Sequence, residues 1–150
     1  MFKECTFSFR PKLYTRYIDD VFAIFGDEQS YLDFFHFINS LHKNLEFTVE
    51  VASDYLPFLD VKVKLSEHDV ELCVYRKDTT TNVILNFDAI APDKWKSSLI
   101  NCFLHRAWKV CTSNQLFDKE VDNLFKIFSE NGYPAKFFFF IMCIINFVIV

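Results

Sequence analysis

Glycine is nearly missing from this chain: Gly26 and Gly132 are the only two in 150 residues, and there are four prolines. Two isolated glycines cannot build a phosphate-cradling Gly-rich loop, which excludes the P-loop and dinucleotide fingerprints. The shortage of both residue types also excludes a collagen-like or linker-dominated chain. The cysteines, Cys5, Cys73, Cys102, Cys111 and Cys143, are odd in number and hold no CxxC pair. With no N-terminal signal sequence they read as free thiols in a reducing compartment, nucleus or cytoplasm, rather than in a secreted protein. Cys102 and His105 stand three apart, but two ligands do not make a zinc site, and both are expected in the core. His36, His42, His68 and His105 do not group with a Ser or Cys nucleophile, so hydrolase chemistry is not expected.

What is abundant is apolar: 51% of the residues are hydrophobic and 20 are Phe. The last 14 residues, 137–150, contain a single polar side chain, Asn146. As a helix such a stretch would reach about 21 Å, short of the roughly 30 Å hydrocarbon core of a bilayer, so a membrane span is not expected. Membrane association through this end stays a third alternative. Lys136, Pro134 and Gly132 just before it help neither a helix nor a span, and it reads as a tail outside the folded body and an aggregation hazard. Net charge is −4. Residues 27–74 hold ten acids against three bases, whereas 92–110 carry Lys94, Lys96, Arg106 and Lys109 against Asp93 alone. Unaided contact with a phosphate backbone should fall on the second of these segments.

The hydropathy pattern gives an α+β order of β-hairpin, helix, three strands and two helices. Two β-prone runs within 13–25 flank Asp19-Asp20 and form a hairpin with both carboxylates at its tip. Ser30 with Asp33 offers a capping-box-like start to a helix over 30–43. Period-two alternation then marks strands at 46–51, 59–65 and 70–75. Pro92 opens a helix whose apolar face is Trp95, Leu99, Phe103, Ala107 and Val110. After a break at 112–114, Phe117, Val121, Leu124, Phe125 and Phe128 mark another, which stops at Asn131-Gly132.

Adjacent aspartates at a hairpin tip repel unless a cation lies between them. Two-metal nucleotidyl transfer uses such carboxylates to hold the ions that activate the attacking hydroxyl and stabilise the leaving oxygen. Asp-Asp is equally a favourable turn dipeptide. The surroundings favour the first reading. Tyr17-Ile18-Asp19-Asp20 between two apolar runs resembles the YxDD motif of reverse transcriptases. Leu56-Pro57-Phe58-Leu59-Asp60 is similar to the segment that opens their primer-grip hairpin. Val74-Tyr75-Arg76-Lys77, His105-Arg106-Ala107 and Glu130-Asn131-Gly132-Tyr133-Pro134 resemble the continuation seen in Penelope-like retroelement reverse transcriptases. The similarity spans about residues 14–136.

That resemblance implies a partial palm over 1–75, built of antiparallel hairpins and one helix. It implies a connecting turn and a thumb-like helix-turn-helix pair over 76–134, with the hydrophobic tail at 135–150. Asp19 and Asp20 would be the catalytic pair and the ligands of Mg2+ (or Mn2+) in the parent enzyme, with Tyr17 near the primer end. Leu56 to Asp60 would position the primer, and Arg76 and Lys77, with Lys94, Lys96 and Arg106 of the basic segment, would touch primer or template. Lys62 and Lys64, alternating on a strand, read as solubilising. A palm also needs a further aspartate on an earlier strand and the fingers, and before Tyr17 the sole acid is Glu4. The chain is therefore expected not to polymerise alone and to hold metal weakly or not at all.

A different class of function is open as well: the last two helices can be a helix-turn-helix nucleic-acid-binding module with no enzymatic role. Against a groove-reading second helix, 115–130 carry Asp118, Glu120, Asp122 and Glu130 against Lys119 and Lys126. An αα-hairpin packing on itself explains the same pattern. The sequence sets no oligomeric state.

Overall fold

The computed structural model describes residues 10–51, 54–66 and 69–148, with side chains described as far as residue 144; Glu4, Cys5 and His68, named above, lie outside the described residues. The chain falls into two units, Met1–Ser53 and Asp54–Val150. The α+β class holds, with one two-stranded and one three-stranded antiparallel sheet and four helices among the described residues.

In the first unit β1 (Leu13–Tyr17) pairs with β2 (Asp20–Ile24), from Leu13 opposite Ile24 to Tyr17 opposite Asp20. That register leaves Ile18-Asp19 as a two-residue turn. Helix α1 (Glu28–Ser40) follows and begins earlier than Ser30 would place it, because Asp27 is the N-cap. Ser30 donates its backbone N–H and its hydroxyl to the two carboxylate oxygens of Asp27, each at 2.8 Å. These two hydrogen bonds hold the Asp27 carboxyl below the usual carboxylate range. Phe34 of α1 meets the rings of Phe25 and Tyr14 at 5.3 Å and 6.1 Å between centroids, so the apolar side of the helix packs on the hairpin.

The strand expected at 46–51 does not form. Alternation makes a strand only where a neighbouring backbone completes the ladder, and here a side chain takes that place. Asn39 accepts the Phe47 N–H at 2.7 Å and donates its amide to the Phe47 carbonyl at 3.3 Å. Val49 and Val51 remain exposed.

The second unit starts with a meander of β3 (Leu56–Phe58), β4 (Val61–Leu65) and β5 (Val70–Val74). Helices α2 (Asp93–Val110), α3 (Asn114–Glu130) and α4 (Ala135–Val148) complete it. Ser113 caps α3, its hydroxyl accepting the Leu116 N–H at 3.3 Å, so α2 and α3 are separated by a turn of three residues. The end of α3 is a Schellman motif. Tyr133 N–H donates to the Phe128 carbonyl at 3.0 Å, Gly132 N–H donates to the Ser129 carbonyl at 3.1 Å, and Gly132 takes φ +85°. The hydrophobic contact that accompanies such an end is present, with the Tyr133 and Phe128 rings 4.9 Å apart. The Asn131 side chain then binds the preceding loop, donating to the Asn82 carbonyl at 3.0 Å and accepting the Ile84 N–H at 3.1 Å.

The core joins Ile100, Leu104 and Ala107 of α2, Leu124 and Phe128 of α3, Tyr133, and Phe138 and Ile141 of α4. Two expectations are corrected here. The hydrophobic end is not a tail outside the body, because residues 135–148 form α4 and Phe138 is completely buried against Phe125 and Phe128. Pro134, expected to oppose a helix, starts it: its carbonyl accepts the N–H groups of Phe137 and Phe138 at 2.9 and 3.1 Å, and proline before the first turn loses no helical hydrogen bond. In α2 the buried stripe is Lys96, Ile100, Leu104 and Ala107, rotated by one position from the stripe through Trp95, Leu99 and Phe103. That rotation leaves Trp95, Cys102 and His105 exposed, where Cys102 and His105 were expected in the core. No helix among the described residues is long and apolar enough to cross a membrane.

Candidate nucleic-acid interface

The two hairpins singled out from the sequence share one device. In each, a two-residue turn puts a branched apolar residue in the left-handed region and an aspartate after it. Ile18 has φ +53° before Asp19, and Leu59 has φ +54° before Asp60. For a β-branched residue this conformation is a true outlier, costing about 1–2 kcal/mol. It is held by the strand pairing on both sides and by Arg16, whose Nε donates to the Ile18 carbonyl at 2.7 Å. Tyr17, Asp19 and Asp20 are all exposed at that tip. Ile18 is 71% exposed and has little packing to lose, so Ile18→Asn, which tolerates positive φ, is expected to stabilise the chain by about 1 kcal/mol. A thermal melt followed by circular dichroism measures this, and an unchanged midpoint would show that the turn stores no strain.

Asp19 and Asp20 give the hairpin tip two exposed carboxylates, and Mg2+ is commonly held by one or two carboxylates together with waters and substrate phosphates. Among the described residues no three His, Cys, Asp or Glu side chains group to hold a metal ion. Burial pushes the Cys73 and Cys111 thiols up, away from the activated thiolate that a nucleophile or ligand needs.

In the second unit the structure brings together residues far apart in sequence. Arg106 of α2 reaches the β3–β4 turn, with a guanidinium nitrogen 3.6 Å from the Asp60 carboxylate and 3.3 Å from the Asp60 carbonyl. The Asp60 carbonyl also accepts the Tyr75 N–H at 2.8 Å. The LPFLD turn and the His-Arg-Ala segment thus form one corner, flanked by Lys62, whose ammonium lies 5.6 Å from the Tyr75 ring centroid. Within LPFLD, Leu56 and Phe58 are half-buried in β3, while Pro57, Leu59 and Asp60 are exposed.

The five bases singled out from the sequence divide into three groups. Lys77 and Lys94 are exposed, and Arg106 is half-buried. Arg76 is committed elsewhere: its two terminal nitrogens donate to the two oxygens of Glu120 at 2.9 and 2.5 Å, a bidentate pair tying the end of β5 to α3. Lys96 is buried, with its ammonium 4.9 Å from the Phe87 ring centroid and 3.7 Å from Asp93. Neither Arg76 nor Lys96 is placed to meet a phosphate. What the sequence reading missed is Trp108 on the outer side of α2, beside two residues it had named, His105 and Lys109. His105, Trp108 and Lys109 are exposed together, with the Trp108 ring 6.2 Å from His105 and 4.8 Å from the Lys109 ammonium. The signal was present in the position of both tryptophans of the chain on this one helix.

Two helices joined by three residues, the second capped by Ser113 and closed by Asn131-Gly132, make up the geometry of 93–132. Residues 83–141 match the family model of the animal helix-turn-helix domain. The matched stretch begins at the loop that Asn131 ties down and ends at Ile141, inside α4, so it takes in Phe138 and Ile141, the residues of the hydrophobic end that are buried in the core. Comparison with curated proteins and with solved structures gave no match. The carboxylate hairpin lies outside the matched residues. As a helix-turn-helix, α2–α3 departs from the groove-reading arrangement in charge: the exposed side of α3 carries Asp118, Asp122 and Glu130 against Lys119 and Lys126, with Glu120 already turned inward to Arg76.

Proposed function

We propose that the helix-turn-helix unit is a nucleic-acid-binding module whose contact surface is the outer side of α2 rather than α3. The observation that carries this reading is the charge division between the two helices. On α2 the exposed bases Lys94 and Lys109 face one acid, Asp93, which lies beside Lys96, whereas α3 presents an acidic excess. Binding by the whole chain to a labelled 20-base-pair duplex and to a single-stranded oligonucleotide tests it at several salt concentrations. Lys94→Glu with Lys109→Glu is expected to weaken binding about tenfold or more and to reduce the salt slope by about 2, while Lys119→Glu with Lys126→Glu should do neither. Equal losses from the two pairs would spread the contact over both helices and overturn the assignment to α2.

A second reading is supported by the strained hairpin. The outlier at Ile18 presents Asp19 and Asp20 in the sequence context that resembles a reverse-transcriptase palm, and strain of this kind clusters at functional tips. In that reading the α2–α3 unit is the thumb of a Penelope-like RNA-directed DNA polymerase, and primer and template are its partners. Mg2+ or Mn2+ would belong to the assembled parent site. The chain alone is expected to show no primer extension, and extension abolished by Asp19→Ala would overturn that expectation.

A further inference from the structure

We infer that the outer side of α2 takes single-stranded nucleic acid, stacking bases on Trp108 and Trp95; the inference rests on the nucleic-acid reading above and narrows its ligand. The starting observation is that the two tryptophans of the chain are both left in solvent, Trp95 63% and Trp108 45% exposed, in a unit whose core is otherwise filled by Phe, Leu and Ile. An indole is a large apolar surface that folding normally covers. Packing does not force them out: the neighbouring positions Lys96 and Ala107 are the buried ones, so the helix is rotated to bury a lysine and expose an indole.

The company the indoles keep identifies the ligand. Trp108 sits between His105 and Lys109, and Trp95 is next to Lys94, with Ser98 and Asn101 exposed between the two ends. A π-face beside a cation at Trp108, with a second exposed indole and hydrogen-bonding side chains further along the same helix, suits a base stacked on the ring and its phosphate on the ammonium. A purely apolar protein partner would leave Lys94 and Lys109 without counter-charges, because Asp93 is the single acid of α2. Thirteen residues separate the indoles, about 20 Å along the axis, a span of roughly six stacked nucleotides. They lie roughly 140° apart around the helix, on opposite edges of its outer side, so a flexible strand can cross obliquely from one to the other. A rigid duplex cannot expose base faces to either ring, and one that approached α2 and α3 together would meet Asp118 and Asp122.

The test uses the whole chain with labelled twelve-residue oligothymidylate and a twelve-base-pair duplex. The expected result is quenching of tryptophan fluorescence by the oligothymidylate, tighter binding to it than to the duplex, and an affinity lowered about 5- to 100-fold by Trp108→Ala. Trp108→Phe should recover part of the loss, since a smaller aromatic face still stacks. Trp108 is outside the core, so a thermal melt should show Trp108→Ala folded. If the duplex binds at least as well as the single strand, or Trp108→Ala binds the single strand as the parent does, the inference fails. In that case the module reading survives provided the Lys94 and Lys109 reversals still weaken duplex binding. If no oligonucleotide binds, both fail together.

Discussion

Glu120→Ala is expected to lower the stability of the helical unit by about 3–5 kcal/mol, on the order of 15 °C in the thermal midpoint. The side chains of Glu120 and Arg76 are only 10% and 19% exposed, and the pair is bidentate. Removing the carboxylate therefore strands a guanidinium that folding has already taken out of water. Arg76→Ala should cost a similar amount for the mirror reason. The double replacement Arg76→Met with Glu120→Leu should be close to neutral, because two apolar side chains of similar volume carry no desolvation cost. Midpoints of the parent, Arg76→Ala, Glu120→Ala and the Arg76→Ala/Glu120→Ala double variant by circular dichroism form a double-mutant cycle. Additive losses would show that the two residues do not act as a pair.

The second large effect is in α4. Phe138→Ala is expected to cost about 3–5 kcal/mol, since its ring is completely buried between Phe125 and Phe128 and its removal opens a cavity in the middle of the core. Phe140→Ala, two residues on and 64% exposed, should change stability by about 0.5 kcal/mol or less. Denaturant unfolding of both variants decides whether the end of the chain belongs to the fold. If both were neutral, residues 137–144 would contribute nothing to the core.

These two predictions also mark where the sequence was legible and where it was not. The helix stop at Asn131-Gly132 could be read because only glycine takes φ +85° without strain and the motif is local. The hairpins at 13–25 and 59–75 were visible for the same reason, with period-two runs on either side of short turns. Alternation misled at 46–51, where the pattern is indistinguishable from a strand but no described strand pairs with it and the Phe47 backbone is taken by the Asn39 side chain. The 137–150 run misled in the other direction. Uniform hydrophobicity has no periodicity from which to find a buried face, so only the partners Phe125 and Phe128 reveal that α4 is half inside. Site residues suffered most from long-range pairing. Arg76 and Lys96 look like free bases on the page, and nothing near them in sequence announces Glu120, 44 residues away, or the Phe87 ring. The exposure of Trp95 depends on a rotation of α2 by one residue, which a pattern of apolar positions does not resolve, whereas Trp108 already stood off the expected stripe.

The Asn131-Gly132 stop also has a consequence for chemical ageing. An asparagine before glycine is the sequence most prone to deamidation, because the glycine nitrogen can attack the side-chain carbonyl and close a succinimide. Here that nitrogen donates to Ser129, and the amide is held by Asn82, Ile84 and Ile127, so the two reacting atoms are engaged elsewhere. Folding thus protects the bond, and conversion to aspartate proceeds through transient opening of this end. An aspartate there would lose the donor to Asn82 and loosen the loop on which α3 ends, so each conversion would make the next opening easier and leave a one-dalton record of how often the helical unit has opened.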